Sequence, residues 1–102
     1  MIDKRPKTPR EVAAFSLFSM AEESAWSDGA LHYYLGRASL DGRDAALAAR
    51  LTYGTVQNEM LLDWYLRRFS SLRLKKIAPR VLACLRMGLY QLIFMDKIPA
   101  HA

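Results

Sequence analysis

The chain has 102 residues, 52% of them hydrophobic, which is enough for one modest core and excludes both a disordered polar tail and a multidomain arrangement. No uncharged apolar run approaches the ~20 residues that span a bilayer, and the opening MIDKRPKTPR lacks the apolar stretch of a signal peptide, so no membrane association and a cytoplasmic address are expected. The formal net charge of +5 makes a polyanion the partner to look for.

In chain order the elements read as helices throughout. Thr8-Pro9-Arg10-Glu11 sets a capping threonine before a proline at the first helical position, with Glu11 three residues after the cap. That capping box opens the first helix, whose apolar residues run over 12–21. Ser27 or Asp28 is expected to cap a short second helix through Leu31, Tyr34 and Leu35, spaced i, i+3, i+4 and closing near residues 36–39. Asp41-Gly42 marks the next loop. From Arg43 or Asp44 a periodic run passes through Leu47, Leu51, Val56, Leu61, Leu62, Tyr65, Leu66 and Phe69. A run that long usually bends at an identifiable weak point, here near residues 54–58, so it counts as helices three and four.

Ser70-Ser71 starts a basic linker, Pro79 suits the first turn of a fifth helix, and Pro99 lies just past its end. Residues 87–95 carry no charge, so this fifth helix is apolar all round and is expected to be surrounded by others. The preceding residues suffice for about four helices of the usual ~11 to 12 residues. A single domain over residues 1–102, cut short at its C-terminus, is the expectation, and an apolar surface left uncovered predicts a homo-oligomer of the fragment through helix five or its neighbours.

Two glycines fall inside helices. Gly54 and Gly88 each cost roughly 1 kcal/mol relative to alanine there, and a close crossing of helices three and five, with Tyr53 and Tyr90 beside it, is the expected compensation. Approach of the backbone to a ligand is the alternative. Trp26, Trp64 and Phe69 invite a base-stacking role, but Trp64 in LLDWYL sits at helical spacing in an apolar face, where core packing is expected.

The charge is unevenly placed. Residues 1–51 carry seven basic and seven acidic side chains, and residues 52–102 carry eight and three. Arg67, Arg68, Arg73, Lys75, Lys76, Arg80 and Arg86 follow one another with no Asp or Glu between them, and Lys4, Arg5, Lys7 and Arg10 form a second cluster at the start. Clusters of this kind neutralise phosphates and release their condensed counterions, so the candidate nucleic-acid residues are Lys4, Arg5, Lys7, Arg10, Arg67, Arg68, Arg73, Lys75, Lys76 and Arg80. A solvated basic face is the alternative.

Motifs for chemistry are missing. His32 and His101 lack the HExxH or CxxC spacing of a metal site, the lone Cys84 forms neither a disulfide framework nor a thiolate site and is expected to be buried, and no GxGxxG, GxxxxGK[ST] or GxSxG occurs. No catalytic, metal or cofactor site is expected within these residues.

Three segments, TPREVA, GRDAALAARLTYGTVQNEMLLDWYL and LKKIAPRVLACLRMGLYQLIFMDKIPAHA, occur in the order and spacing of one family. Over nearly its whole length the chain resembles the NusB-like N-terminal domain of RsmB, Sun or Fmu-type proteins. That resemblance implies an all-α, NusB-like bundle of about five helices, truncated at the C-terminus. It also implies a parent enzyme that uses S-adenosylmethionine to form 5-methylcytosine in small-subunit (16S) ribosomal RNA, with this domain assisting RNA binding. The methyl-donor site and catalytic cysteines would lie beyond Ala102, so the fragment itself is no enzyme, and its implied partners are ribosomal RNA and its own catalytic domain. The free antitermination factor NusB shares the fold and opens on an arginine-rich first helix. Lys4, Arg5, Lys7 and Arg10 lack its Arg-Arg-x-Ala-Arg pattern, so the RsmB-type reading fits better, with an antitermination factor or a helical protein-interaction domain as alternatives.

Overall fold

The computed structural model describes residues 4–95. Pro99, His101 and the lead-in to further helices lie outside them. The described residues form five α-helices with no strand among them. Helix α1 is Pro9–Glu23, opened by the expected capping box: Thr8 Oγ1 accepts from the Glu11 amide at 3.1 Å, and Glu11 Oε1 accepts from the amides of Lys7 at 2.7 Å and Thr8 at 3.2 Å. Helix α2 is Ser27–Arg37, and its cap differs from the expectation. Trp26 holds the N-cap position without a side-chain bond, because Asp28 already lies inside the helix and accepts instead from the Tyr53 hydroxyl at 2.5 Å.

Helix α3, Gly42–Gln57, starts a residue or two before the expected point, since Asp41 Oδ1 caps it by accepting from the Asp44 amide at 2.8 Å. The break falls at Asn58. Its backbone amide and its side-chain Nδ2 both donate to the Gly54 carbonyl, at 3.1 and 2.8 Å, which closes α3 and lets α4, Glu59–Phe69, leave in a new direction. A short 3₁₀ turn, Leu74–Lys76, leads to α5, Pro79–Tyr90, which runs on into a π turn over Gln91–Met95.

The element surrounded by the others is α1, not α5. It packs against α2, α3 and α5, and small residues make that possible: Ala13, Ser16 and Ser19 are almost fully buried. The two serine hydroxyls of α1 are satisfied, with Ser16 donating to the Val12 carbonyl at 2.7 Å and Ser19 bonded to the Tyr34 hydroxyl at 2.9 Å. One core cluster joins Ala13, Leu17, Leu51, Leu62, Ala83, Met87 and Tyr90; a second, under α2, joins Val12, Leu31, Tyr34 and Ala48.

Helix α5 buries only one face. Ala83, Met87 and Tyr90 are inside, whereas Val81 and Leu85, and Leu92 and Ile93 of the π turn that follows, are exposed, since no described element lies over them. Cys84 is also exposed, against expectation, because it falls on that open side. Gly54 and Gly88 divide. The ring of Tyr90 lies directly against Gly54, which is the close approach of α3 to α5 expected there, while nothing meets Gly88. Trp64 is half-exposed rather than in the core: Leu62 points inward, and Trp64 is nearly on the opposite side of the same helix.

Candidate nucleic-acid interface

The two basic clusters sit at opposite ends of the α1/α5 pair. These helices run antiparallel, for Arg10 Nε donates to Gln91 Oε1 at 2.8 Å at one end and Arg80 Nε donates to Glu22 Oε1 at 2.6 Å at the other. The length of α1, about 22 Å for its 15 residues, therefore lies between the end that carries Lys4, Arg5, Lys7 and Arg10 and the end nearer the linker.

At the linker end, Arg67 and Arg68 occupy the last turn of α4, where cations complement the helix dipole. Ser70 Oγ accepts from the Leu72 amide at 3.1 Å and donates to the Leu72 carbonyl at 2.8 Å, a local turn that folds the chain back after the helix. As a result Arg67, Ser70, Ser71, Leu72, Arg73 and Lys75 share one open cleft of about 500 Å³. Lys76 is exposed beside it in the 3₁₀ turn. None of Arg67, Arg73, Lys75 and Lys76 forms an ion pair with a carboxylate among the described residues.

Arg80 stands apart from that group. It is bidentate to Glu22, its guanidinium carbon lies 5.1 Å from the Phe18 ring centroid, and the Glu22 hydrogen bond pushes its pKa up further from an already high value. Its charge ties α5 to α1. Arg86 is more firmly engaged, donating to both Asp63 oxygens at 2.7 and 2.9 Å and pairing with Glu59 at 3.1 Å.

At the other end, Arg5 and Lys7 line a shallow cleft of about 270 Å³ with Pro6, Ser39 and Arg37. Arg37 was missed in sequence because it stands alone among neutral residues; its place in the last turn of α2 was the available signal. Lys4 is exposed just before this cleft, and Arg10 is held by Gln91.

A third cavity, about 300 Å³ between α1, α3, α4 and α5, is walled by Leu17, Met20, Val56 and Ala83, with Thr55, Glu59 and Arg86 as its polar groups. Among the described residues no three His, Cys, Asp or Glu side chains gather as a metal site would need, and no helix is long and apolar enough to cross a membrane.

The sequence model of the NusB family matches residues 7–102. A Bacillus subtilis protein named probable ribosomal RNA small subunit methyltransferase B is 32% identical over 93 residues, covering 91% of this chain and 21% of that protein. A Mycobacterium tuberculosis protein named for a methyltransferase is 36% identical over 100 residues, covering 97% of this chain and 22% of that protein. The transcription antitermination protein NusB of Bacillus licheniformis is 30% identical over 97 residues, covering 93% of this chain and 71% of its own length. The chain thus spans about a fifth of the methyltransferase relatives it matches. No solved structure matches it significantly. An all-helical chain matched by the family's model over residues 7–102, and by the antitermination protein over most of both lengths, belongs to the NusB family.

Proposed function

We propose that this domain binds ribosomal RNA and positions it for an S-adenosylmethionine-dependent methyltransferase, of which it forms part, that acts in the cytoplasm on cytosine C5 of the small-subunit RNA. The observation that carries the reading is the linker cleft, where Arg67, Arg73 and Lys75 converge without a carboxylate partner. Phosphate contacts of this kind fix orientation and carry little sequence information, which suits a positioning module. The relatives named as methyltransferases support the parent assignment.

The residues of this chain do not fit the cofactor. The cavity between α1, α3, α4 and α5 is lined by Leu17, Met20, Val56 and Ala83 with only Thr55, Glu59 and Arg86 as polar groups, and the chain holds no glycine-rich loop. In this proposal its contribution is binding, and the methyl donor is held by the remainder of the parent.

Replacing Arg67, Arg68, Arg73, Lys75 and Lys76 with glutamine tests the reading. Each lost phosphate contact removes about 0.7 from the slope of log K against log salt on single strands, so the slope should fall by up to about 3.5 if all five cations contact phosphates. An unchanged slope would remove the hypothesis. A charge-matched control protein that binds ribosomal RNA equally well would favour a domain serving protein contacts instead.

The match to the Bacillus licheniformis antitermination protein favours a second reading, a free NusB-type factor. Sequencing the gene past Ala102 separates the two: a methyl-donor site with a PCxGxG-like cysteine motif selects the methyltransferase, and a stop after two further helices selects the factor.

A further inference from the structure

On α4, Met60, Trp64 and Arg68 stand at i, i+4 and i+8, on the side of the helix away from Leu62 and Leu66. Exposure agrees with that placement. Leu62 is fully buried, whereas Met60 is 88% and Trp64 50% exposed, on the side of a helix where polar residues are the rule.

The indole is held in place. The Arg68 guanidinium carbon lies 4.6 Å from the Trp64 ring centroid, and the Tyr65 ring meets it nearly edge-on at 4.9 Å. Arg67, the preceding residue to Arg68, lines the cleft that continues through Ser70 and Ser71 to Arg73 and Lys75. A flat π surface, two arginines and a cationic groove are therefore contiguous. The acidic residues of α4, Glu59 and Asp63, both pair with Arg86, so their charges are already matched.

This combination selects among polyanions. A duplex offers its phosphates but hides the faces of its bases, whereas a single strand offers both, and base–aromatic stacking beside a backbone-tracking groove is how proteins hold it. An arginine against the ring, with a second lining the adjoining cleft, suits a planar, negatively charged ligand better than an apolar protein side chain.

We propose that the outward face of α4 and the adjoining linker cleft form a seat for single-stranded RNA, in which an unpaired base stacks on Trp64 beside Arg68 while Arg67, Arg73 and Lys75 hold the flanking phosphates. The inference rests on the RNA-binding reading above and adds to it the strandedness of the target and the residue that touches a base. Phe69, the last residue of α4 and 81% exposed, offers a second ring to a neighbouring base.

The test uses the full chain carrying Trp26→Phe, which leaves Trp64 as the one remaining tryptophan; Trp26 is 87% exposed, so the fold should tolerate the change. Titration with a single-stranded oligouridylate should quench Trp64 emission, and a perfectly paired RNA duplex carrying the same number of phosphates should leave it unchanged. Trp64→Ala and Trp64→Leu, each checked for helix content by circular dichroism, should both weaken single-strand binding about ten-fold and leave duplex binding as it was. Leucine keeps the apolar area but not the π face, so full affinity in Trp64→Leu overturns the seat and points to a protein-docking surface. Binding of both RNAs with equal affinity and no quenching overturns the stacking proposal while leaving RNA binding standing. Failure of the folded wild-type chain to bind either RNA overturns both.

Discussion

The ring of Tyr90 fills the space that a β-carbon on Gly54 would need, so α5 lies against bare backbone of α3 at this point. Tyr90 is itself buried and stacks on Phe94 with ring centroids 5.1 Å apart, which leaves its ring little room to withdraw. Alanine at position 54 gains about 1 kcal/mol in helix propensity, but overpacking a closed core costs about 1–3 kcal/mol and a ring that must move puts this site at the upper end. Gly54→Ala should therefore lower stability by about 1–2 kcal/mol in urea denaturation. Adding Tyr90→Leu to Gly54→Ala should recover part of the loss, and a strictly additive double-mutant cycle would show that the two residues are not in conflict.

Gly88 gives the opposite expectation. Among the described residues, no atom beyond its own helix turn lies within 4 Å of where its β-carbon would sit. Gly88→Ala should then raise the melting temperature, by a few degrees for a gain of up to about 1 kcal/mol in a domain of this size. A fall would mean that another surface closes on Gly88 in solution.

That contrast shows what a sequence of this kind makes legible. Local chemistry was readable because it acts over three or four residues: the Thr8–Glu11 capping box, the proline opening α5 and the weak point ending at Asn58 all lie where their own neighbours put them. Periodicity likewise separates the faces of a helix. It does not say how many neighbours arrive, so periodicity alone puts Cys84 and Trp64 inside, and makes α5, more continuously apolar than α1, look like the surrounded helix. The small residues Ala13, Ser16 and Ser19 were the overlooked sign that other helices crowd α1. At the candidate interface, charge runs named the basic residues but not their pairing. Glu22, 58 residues from Arg80 in sequence, engages it in space, and the local run of cations gave no hint of that bond.

Arg86 joins α4 to α5 through Asp63, and both side chains are largely shielded, at 20% and 13% exposure. Exposed pairs contribute about 0–1 kcal/mol, whereas removing one partner of a buried pair costs about 3–5. The intermediate burial here sets the expectation for Arg86→Met near 2 kcal/mol, since Asp63 would be left charged and poorly hydrated. Asp63→Asn keeps one acceptor and should cost less. Denaturant midpoints decide the matter, and a midpoint unmoved in Arg86→Met would mean that the bidentate contact does not hold the two helices together. Because Arg86 is engaged inside the bundle, the salt slope of RNA binding should be the same in this variant as in the wild type.

Tyr53 on α3 donates to Asp28 in the first turn of α2, a bond of 2.5 Å that spans the two elements. That hydrogen bond, then partial burial, then the negative charge of Asp28 all oppose formation of the phenolate, so the Tyr53 pKa is raised from its ordinary 10.0. The folded state thus holds this proton to higher pH than the unfolded state does. Its contribution to stability is complete below pH 10 and is lost as pH climbs from there through the raised value in the folded protein. Tyr53→Phe should cost about 1 kcal/mol at neutral pH, and the gap between wild type and variant should close as melting curves are taken at increasing alkalinity. Phenolate absorbance should show the same event, as a titrating step above the ordinary tyrosine range that is missing from the variant. A gap that stays constant across this range would mean that the Asp28 bond does not favour the protonated ring.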